Sequence, residues 1–534
     1  MISRPDWIGA SIAILLALAG CSAGADDSAP VDRTVATATE GGELARWREL
    51  GRERLAQGDL ARAADAFDRA LAADADDAGL WVDIGRMRYR SGQQELAIAA
   101  AERALAIDPA NPQALLFQGQ LARDAYGLLA GLAWFDRGLD VRPDDPALLL
   151  DHAATLIDLD RAEEALVSLR HLARVAPATP ELPYLQAVIA ARGGDFVLAR
   201  TLFQRVGPAT RERPSARMLD GIIALEQEQY ASAAQIFDAL LRQQPDNSRI
   251  QRLLARSLYL GGSHRQLVAR FEEKALRGNA SPYLQTLVGR SLEALGRRGE
   301  AADFLDSAGW QDARTLTPLP PSAPLEAALL DEKGGGIAAR DFVRASLDGS
   351  SVDEAGARAR RYLDDAPGSG DALNLLGDAL LAAGDAQGAI DAYTRAARIR
   401  RGWPLTLRLV AAERLAGRPD RAEELVASYL AQGGDAPEAV ELYGRMLARS
   451  GAWTAAARVL DTAIENGADN PRILALRSQV ALRLGDREVA LDRAWRAYRA
   501  QPMYVPAIAA LAEATDDPAL KARLTEKLDR IGRR

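Results

Sequence analysis

Small and bulky apolar residues recur along this chain in fixed columns with a period of 34 residues. One column reads Gly51, Gly85, Gly119, Ala153, Ala187, Gly221, Ala255 and Gly289, and a second, twelve residues on, reads Ala63, Ala97, Gly131, Ala165, Ala199, Ala233, Leu267 and Ala301. A third, four residues further, is bulky apart from Ala101: Phe67, Phe135, Leu169, Phe203, Phe237, Phe271 and Leu305. No segment alternates apolar and polar residues for long enough to predict a sheet, so helices are the expected elements. Their ends are punctuated. Asn111-Pro112, Asp145-Pro146 and Thr179-Pro180 each place a capping side chain before a proline at the first helical position. Pro109, Pro143, Pro177 and Pro245 close the preceding helices, since proline lacks the amide hydrogen and clashes with the carbonyl four residues back.

The period breaks once. Ala301 and the next small-column residue, Ala355, are 54 residues apart, and the surplus falls in 310–336, which holds Pro318, Pro320, Pro321, Pro324 and the run Gly334-Gly335-Gly336. That stretch is expected to be a hinge or an insertion. The column then resumes at Ala355, Ala389, Ala422, Ala456 and Ala490. Segment 518–531, with Lys521, Arg523, Lys527 and Arg530 among Leu520, Leu524, Leu528 and Ile531, reads as the polar-faced cap that a repeat stack requires.

These residues carry a family resemblance. The tetratricopeptide pattern places Trp, Leu-Gly, Tyr, Ala, Phe, Ala and Pro at fixed offsets in a repeat of about 34 residues. Trp81, Ile84, Gly85, Ala97, Ala104 and Pro109 match it, as do Trp47, Leu50, Gly51, Ala63, Phe67 and Ala70. The resemblance implies an all-α solenoid of helical hairpins wound into a right-handed superhelix. About thirteen units are expected: an N-terminal array over 44–308, the insertion at 309–337, a C-terminal array over 338–503, and capping helices over 504–534. Gly and Ala at a helix crossing let the two axes approach closely. The Phe column is expected to fill the space between one hairpin and the next, at roughly 1.5–3 kcal/mol for each buried ring.

Composition narrows the function. The formal net charge of −8 and pI near 5.3 argue against general nucleic-acid binding. The positive charge is nearly all arginine, Lys274, Lys333, Lys521 and Lys527 being the only lysines.

The N-terminus carries an address. Arg4 precedes an apolar run over 8–19, too short for a stable span and the right length for a signal-peptide core. Leu18-Ala19-Gly20-Cys21 resembles the bacterial lipobox. The resemblance implies a signal peptide over 1–20, removed before Cys21, and acylation of that cysteine, the only one in the chain. Two or more acyl chains hold a protein to a bilayer where one would be marginal. Ser22 in place of Asp resembles the sorting signal for the outer membrane of Gram-negative bacteria, and residues 21–43 read as the lipidated cysteine with a flexible tether. The expected location is the outer membrane, facing the periplasm, with surface display as the alternative.

Catalytic and metal motifs are mostly missing. His152, His171 and His264 fall in no ligand spacing, and there is neither a Gly-Lys phosphate loop nor a Gly-x-Ser-x-Gly elbow. His152, beside the small column, reads as a structural histidine. The paired carboxylates Asp76-Asp77, Asp144-Asp145, Glu163-Glu164 and Asp364-Asp365 read as solvated caps. No cofactor, metal or small-molecule substrate is expected.

In the family the sequence resembles, partner segments lie along the inner surface lined by the first helix of each unit. Those positions here carry Arg86, Tyr89 and Arg123, then Leu150, Ile157, Tyr184, Val188, Met218 and Ile222, then Arg252, Arg256, Tyr259, Tyr283 and Arg290. An apolar floor flanked by Arg and Tyr suits an apolar or amphipathic segment with acidic ends. The expectation is a lipid-anchored scaffold of a cell-envelope assembly, binding proteins or peptide segments. Exopolysaccharide synthesis and export is the leading setting. The alternatives are a pilus or secretion-system assembly factor and, more remotely, a regulator of a peptidoglycan-modifying enzyme.

Overall fold

The computed structural model describes residues 40–245, 247–276, 280–310, 336–349, 351–466 and 470–532. The signal peptide, Cys21, nearly all of the tether and most of the insertion expected at 309–337 lie outside the described residues. The rest is helix and turn. The first array comprises α1 (Glu40–Ala56), α2 (Leu60–Ala73), α3 (Ala78–Arg90), α4 (Gln94–Ile107), α5 (Pro112–Tyr126), α6 (Leu128–Val141), α7 (Pro146–Asp158), α8 (Ala162–Val175), α9 (Leu182–Arg192), α10 (Phe196–Phe203), the short α11 (Pro208–Arg211), α12 (Pro214–Glu226), α13 (Tyr230–Gln243), α14 (Ser248–Leu260), α15 (His264–Ala275), α16 (Pro282–Ala294) and α17 (Arg298–Trp310). The second comprises α18 (Gly336–Asp348), α19 (Val352–Asp365), α20 (Gly370–Ala382), α21 (Ala386–Ile399), α22 (Trp403–Leu415), α23 (Pro419–Ala431), α24 (Pro437–Arg449), α25 (Trp453–Glu465), α26 (Pro471–Leu484), α27 (Arg487–Ala500), α28 (Val505–Ala514) and α29 (Pro518–Gly532). Apart from α11 these helices form consecutive antiparallel pairs.

Helix starts follow the expected chemistry with one exception. Asn111 Oδ1 accepts the Ala114 amide at 3.1 Å, and Asp145 Oδ1 accepts those of Ala147 and Leu148 at 3.0 and 3.1 Å. Thr179 does not cap: its hydroxyl donates to the Ala176 carbonyl at 2.8 Å, and α9 starts at Leu182 with Pro183 in its first turn. A hydroxyl can serve the preceding carbonyl as readily as the following amide.

The turn between the two helices of a hairpin imposes a further column that the apolar pattern does not reveal. It needs a left-handed residue, supplied by Gly58, Gly92, Gly194, Gly262 and Gly296 in the first array and by Gly384, Gly417, Gly451 and Gly485 in the second. Asp160 and Glu228 occupy the same turn position at φ 60° and 62°, where a side chain costs roughly 1–2 kcal/mol.

The small and bulky columns meet within one hairpin. A methyl group on Gly51, Gly119 or Gly377 would overlap the ring of Phe67, Phe135 or Tyr393 respectively, and one on Gly221 would lie 2.6 Å from Phe237. The Phe67 ring also reaches Leu80 and Ile84 of the following hairpin, so it couples neighbours as well as closing its own pair. The second unit solves the problem differently. Its bulky position is Ala101, and the space over Gly85 is taken by Phe117 from α5 of the next unit, 2.6 Å from where a Gly85 methyl would stand.

First helices of successive pairs pack on one another, α3 on α5 and α5 on α7, whereas each second helix packs on the first helix that follows. The closer stacking puts the first helices on the inside of the curve. The curvature brings distant parts of the chain together. Gly370 N–H donates to Gln94 Oε1 at 2.9 Å across 276 residues of sequence, and α21 packs against α4 and α5. The solenoid therefore completes a turn and touches itself.

Candidate partner-binding surfaces

The inner positions read from the sequence divide into three groups. Tyr184 and Val188 are core, 2% and 0% exposed, as is Ile157. The expectation that they line an open groove is corrected: α9 is enclosed by its own partner α10 and by first helices on both sides, so these positions face neighbouring helices. Burial pushes the Tyr184 hydroxyl up to about 12. Leu150, Met218 and Ile222 are half-buried against the same cores.

Most of the arginines are already engaged. Arg123 donates to Asp151 at 3.0 Å and Thr155 at 3.2 Å, while Asp151 also accepts from Gln120 at 2.9 Å. Arg86 lies 6.0 Å from the Phe117 ring centre. Arg256 pairs with Glu226 at 3.3 Å, and Arg290 donates to Glu293 of its own helix at 2.6 Å. Tyr89 donates to Asp124 at 3.2 Å; burial and the adjacent carboxylate push its hydroxyl well above the usual range. Arg252, Arg256, Tyr259 and Tyr283 do come together on α14 and α16. Burial raises the Tyr283 hydroxyl, the two arginines oppose the rise, and Tyr259 adds to it. The Tyr259 ring stands edge-on to His264 at 5.5 Å.

Each histidine has a side-chain partner. His152 bridges Ser168 and Asp136 at 2.9 and 3.0 Å, His171 meets Asp144 at 2.7 Å, and His264 meets Ser291 at 3.3 Å. No group of three or more His, Cys, Asp or Glu that could hold a metal occurs among the described residues. No described helix is long and apolar enough to cross a membrane.

An open groove lies instead at the far end of the second array, where sequence reading singled out no residue. It has a volume of about 750 Å³ and runs along the first helices α24, α26 and α28, with Trp453 of α25 at its side. Ala475, Leu476 and Val480 form a buried floor, and Trp453 and Pro506 are half-buried beside it. Arg445, Arg449, Arg472 and Arg483 line the walls against a single glutamate, Glu513. Arg449 and Arg483 are exposed, and the Arg483 guanidinium stands 5.9 Å from the Trp453 ring centre. Below them Glu441, 3% exposed, holds Arg445 and Arg472 by ion pairs of 2.7 Å each. One buried carboxylate thus fixes two guanidiniums whose combined charge exceeds its own, leaving the groove positive. Anionic ligands with an apolar anchor fit it: fixed arginines recognise carboxylates with little further loss of side-chain freedom, and an aromatic wall adds stacking area. The arginine spacing across α24 and α26 was the available signal, masked by the irregular columns of this half.

Fold and surfaces together define a helical-repeat solenoid with an inner binding face. Comparison with known proteins places it further. The tetratricopeptide-repeat family model matches residues 48–112, 219–265 and 340–404, and a second tetratricopeptide-repeat model matches 414–480, which holds most of the groove. These segments of the chain are tetratricopeptide repeats. No curated protein matches it. Among solved structures it is similar to that titled as the functional characterization of Pseudomonas aeruginosa pilF, at 16% identity over 39% of this chain and 94% of that one, with a TM-score of 0.33. It is also similar to a tetratricopeptide-repeat protein from Parabacteroides merdae, at 16% identity over 50% of this chain and 92% of that one, TM-score 0.26. A third similarity is to the APC/C hetero-tetramer Cut9-Hcn1, at 11% identity over 90% and 97%, TM-score 0.31.

Proposed function

We propose that this protein is an outer-membrane-anchored scaffold, facing the periplasm, that docks a component of a cell-envelope assembly through the arginine-lined groove of its last units. Exopolysaccharide synthesis and export is the setting we favour. The repeat family supports the general role, since such folds present surfaces for protein or peptide partners. The lipobox resemblance at Cys21 and the serine after it support the location. The observation that carries the docking site is the groove itself: four arginines around an apolar floor, against one glutamate. Its ligand is an acidic segment bearing an aromatic or aliphatic anchor. The anchor enters over Leu476 and Val480 while carboxylates meet Arg449 and Arg483, the charge pattern both excluding basic segments and speeding encounter with acidic ones.

The test compares three forms purified from native membranes after crosslinking: wild type, Arg449→Glu/Arg483→Glu, and Cys21→Ser. Both substituted arginines are exposed, so circular dichroism and melting should not change. Envelope-export components should copurify with the wild type, disappear in the double variant, and be recovered poorly from Cys21→Ser, which should leave the membrane fraction. Identical partner sets from wild type and the double variant would remove the groove from consideration. Membrane retention of Cys21→Ser would remove the lipid anchor.

A further inference from the structure

The contact between the two turns of the superhelix follows a register. On the first array it uses the turns inside successive hairpins, at Gln94-Glu95, Gly127-Leu128 and Leu159; on the second it uses the turns between hairpins, at Gly368 to Gly370, Arg401 and Gln432-Gly433. Glu95 N–H donates to the Gly368 carbonyl at 3.4 Å, Arg401 N–H to the Asp124 carbonyl at 2.8 Å, and Leu128 N–H to the Gln432 carbonyl at 3.0 Å. Arg395 of α21 grips Glu95 with both ends of its guanidinium, at 3.1 and 3.3 Å. Gly127 allows the approach: a methyl there would lie 2.6 Å from the Gln432 Cβ and 2.8 Å from its carbonyl oxygen. A methyl on Gly433 would likewise lie 2.8 Å from Leu159. Charge runs along the seam. Arg400 acts on both Tyr89 and Asp124, and Asp435 acts on Arg249 beside Arg192 and Arg252. The second turn thus meets the first along the edge formed by its hairpin turns, and there Arg400 reaches Tyr89, one of the positions that the sequence marked for a partner.

We propose that this seam is a clasp that opens while the repeats stay folded, so that the hairpin-turn edge of the first turn, with Tyr89 beside it, is either covered by the second turn or free for a partner. The two kinds of contact differ in composition. Within each array, buried Leu, Phe and Ala form continuous cores. Across the seam the apolar contribution is small, chiefly Ile98 against the α21 cluster and Leu128 and Leu159 against Gly433. The remainder is polar, and its ion pair between side chains reaches water: the Glu95 and Arg395 side chains are 33% and 48% exposed. Two of the backbone donors, Glu95 and Leu128, lie in the first turns of α4 and α6, where no intrahelical acceptor exists. On opening they transfer to water, and no helix loses an internal hydrogen bond. Exposed ion pairs are weak and screened by salt, so the clasp yields before any hairpin does. This device is independent of which partner is bound and of the groove on α24, α26 and α28.

Hydrogen exchange read by mass spectrometry on the full chain tests it, together with small-angle scattering, in wild type, Arg395→Glu and Arg395→Glu/Glu95→Arg. In Arg395→Glu, peptides carrying the amides of Glu95, Leu128, Gly370 and Arg401 should exchange about five- to tenfold faster, an effect of the size an exposed pair and its reversal produce. Interior peptides of α3, α5, α20 and α22 should be unchanged, and the radius of gyration should rise. The double reversal should restore both readouts, and ~1 M salt should loosen the wild type in the same way. Seam amides that exchange at the wild-type rate in Arg395→Glu overturn the proposal. So does a loss of protection spreading through the helices, or a double reversal that restores neither readout.

Discussion

Replacing Phe237 by Ala tests how the columns stabilise the stack. The ring is 0% exposed, fills the space above Gly221, and belongs to one cluster with Leu240, Ile250 and Leu254. Removing it forfeits the transfer energy of a full aromatic ring and leaves a cavity that the paired helices α12 and α13 cannot close, together about 4 kcal/mol. At about 1.4 kcal/mol per decade, local opening should become roughly a thousand times more populated. In a solenoid the loss should stay local. Hydrogen exchange should therefore accelerate in α12 to α15 and leave α24 to α29 at wild-type rates. The structure also supplies a designed rescue. In the second and third units Ala101 is compensated by Phe117, and the positions equivalent to Ala101 and Phe117 in the sixth and seventh units are Phe237 and Leu253. Phe237→Ala/Leu253→Phe recreates that arrangement over Gly221 and should recover about half of the lost stability, roughly 2 kcal/mol. Uniform acceleration along the chain would refute the local-coupling argument. A double variant less stable than Phe237→Ala would refute the claim that the ring can be supplied from either side.

Two further outcomes follow from local geometry. Glu228 sits at φ 62° in a hairpin turn whose counterparts are mostly glycine, so Glu228→Gly should raise stability by about 1 kcal/mol in chemical denaturation; no gain would mean the turn is not strained. His152 is pushed below its ordinary value chiefly by burial, with Asp136 opposing. The folded state therefore resists protonation more than the unfolded chain does, so stability is full above the ordinary imidazole range and falls as pH drops through it. His152→Gln should flatten that part of the melting profile between about pH 7 and 5 relative to wild type, and an unchanged difference curve would refute the assignment.

The periodic columns determined the all-helical class, the hairpin unit and its register, because each column reflects a contact made within 34 residues: a glycine beneath a ring, a cap before a proline, a small residue at a crossing. Such contacts repeat with the chain and leave a mark in it. Even the exception at Ala101 is written there as Phe117, although its meaning needed the packing. Tertiary structure decided which inner positions are open. Tyr184 and Val188 carry the same residue types as a groove floor, but α9 is covered on both sides and they are core. Arg445, Arg449, Arg472 and Arg483 carry the same type as many solvated arginines, and only the stacking of α24, α26 and α28 gathers them around one cavity. The seam between turns was illegible for a related reason. Its partners are about 270 to 300 residues apart, and their meeting depends on the small rotation from each hairpin to the next, summed over a full turn of the superhelix. A property that accumulates over many units is fixed by no single column of the sequence.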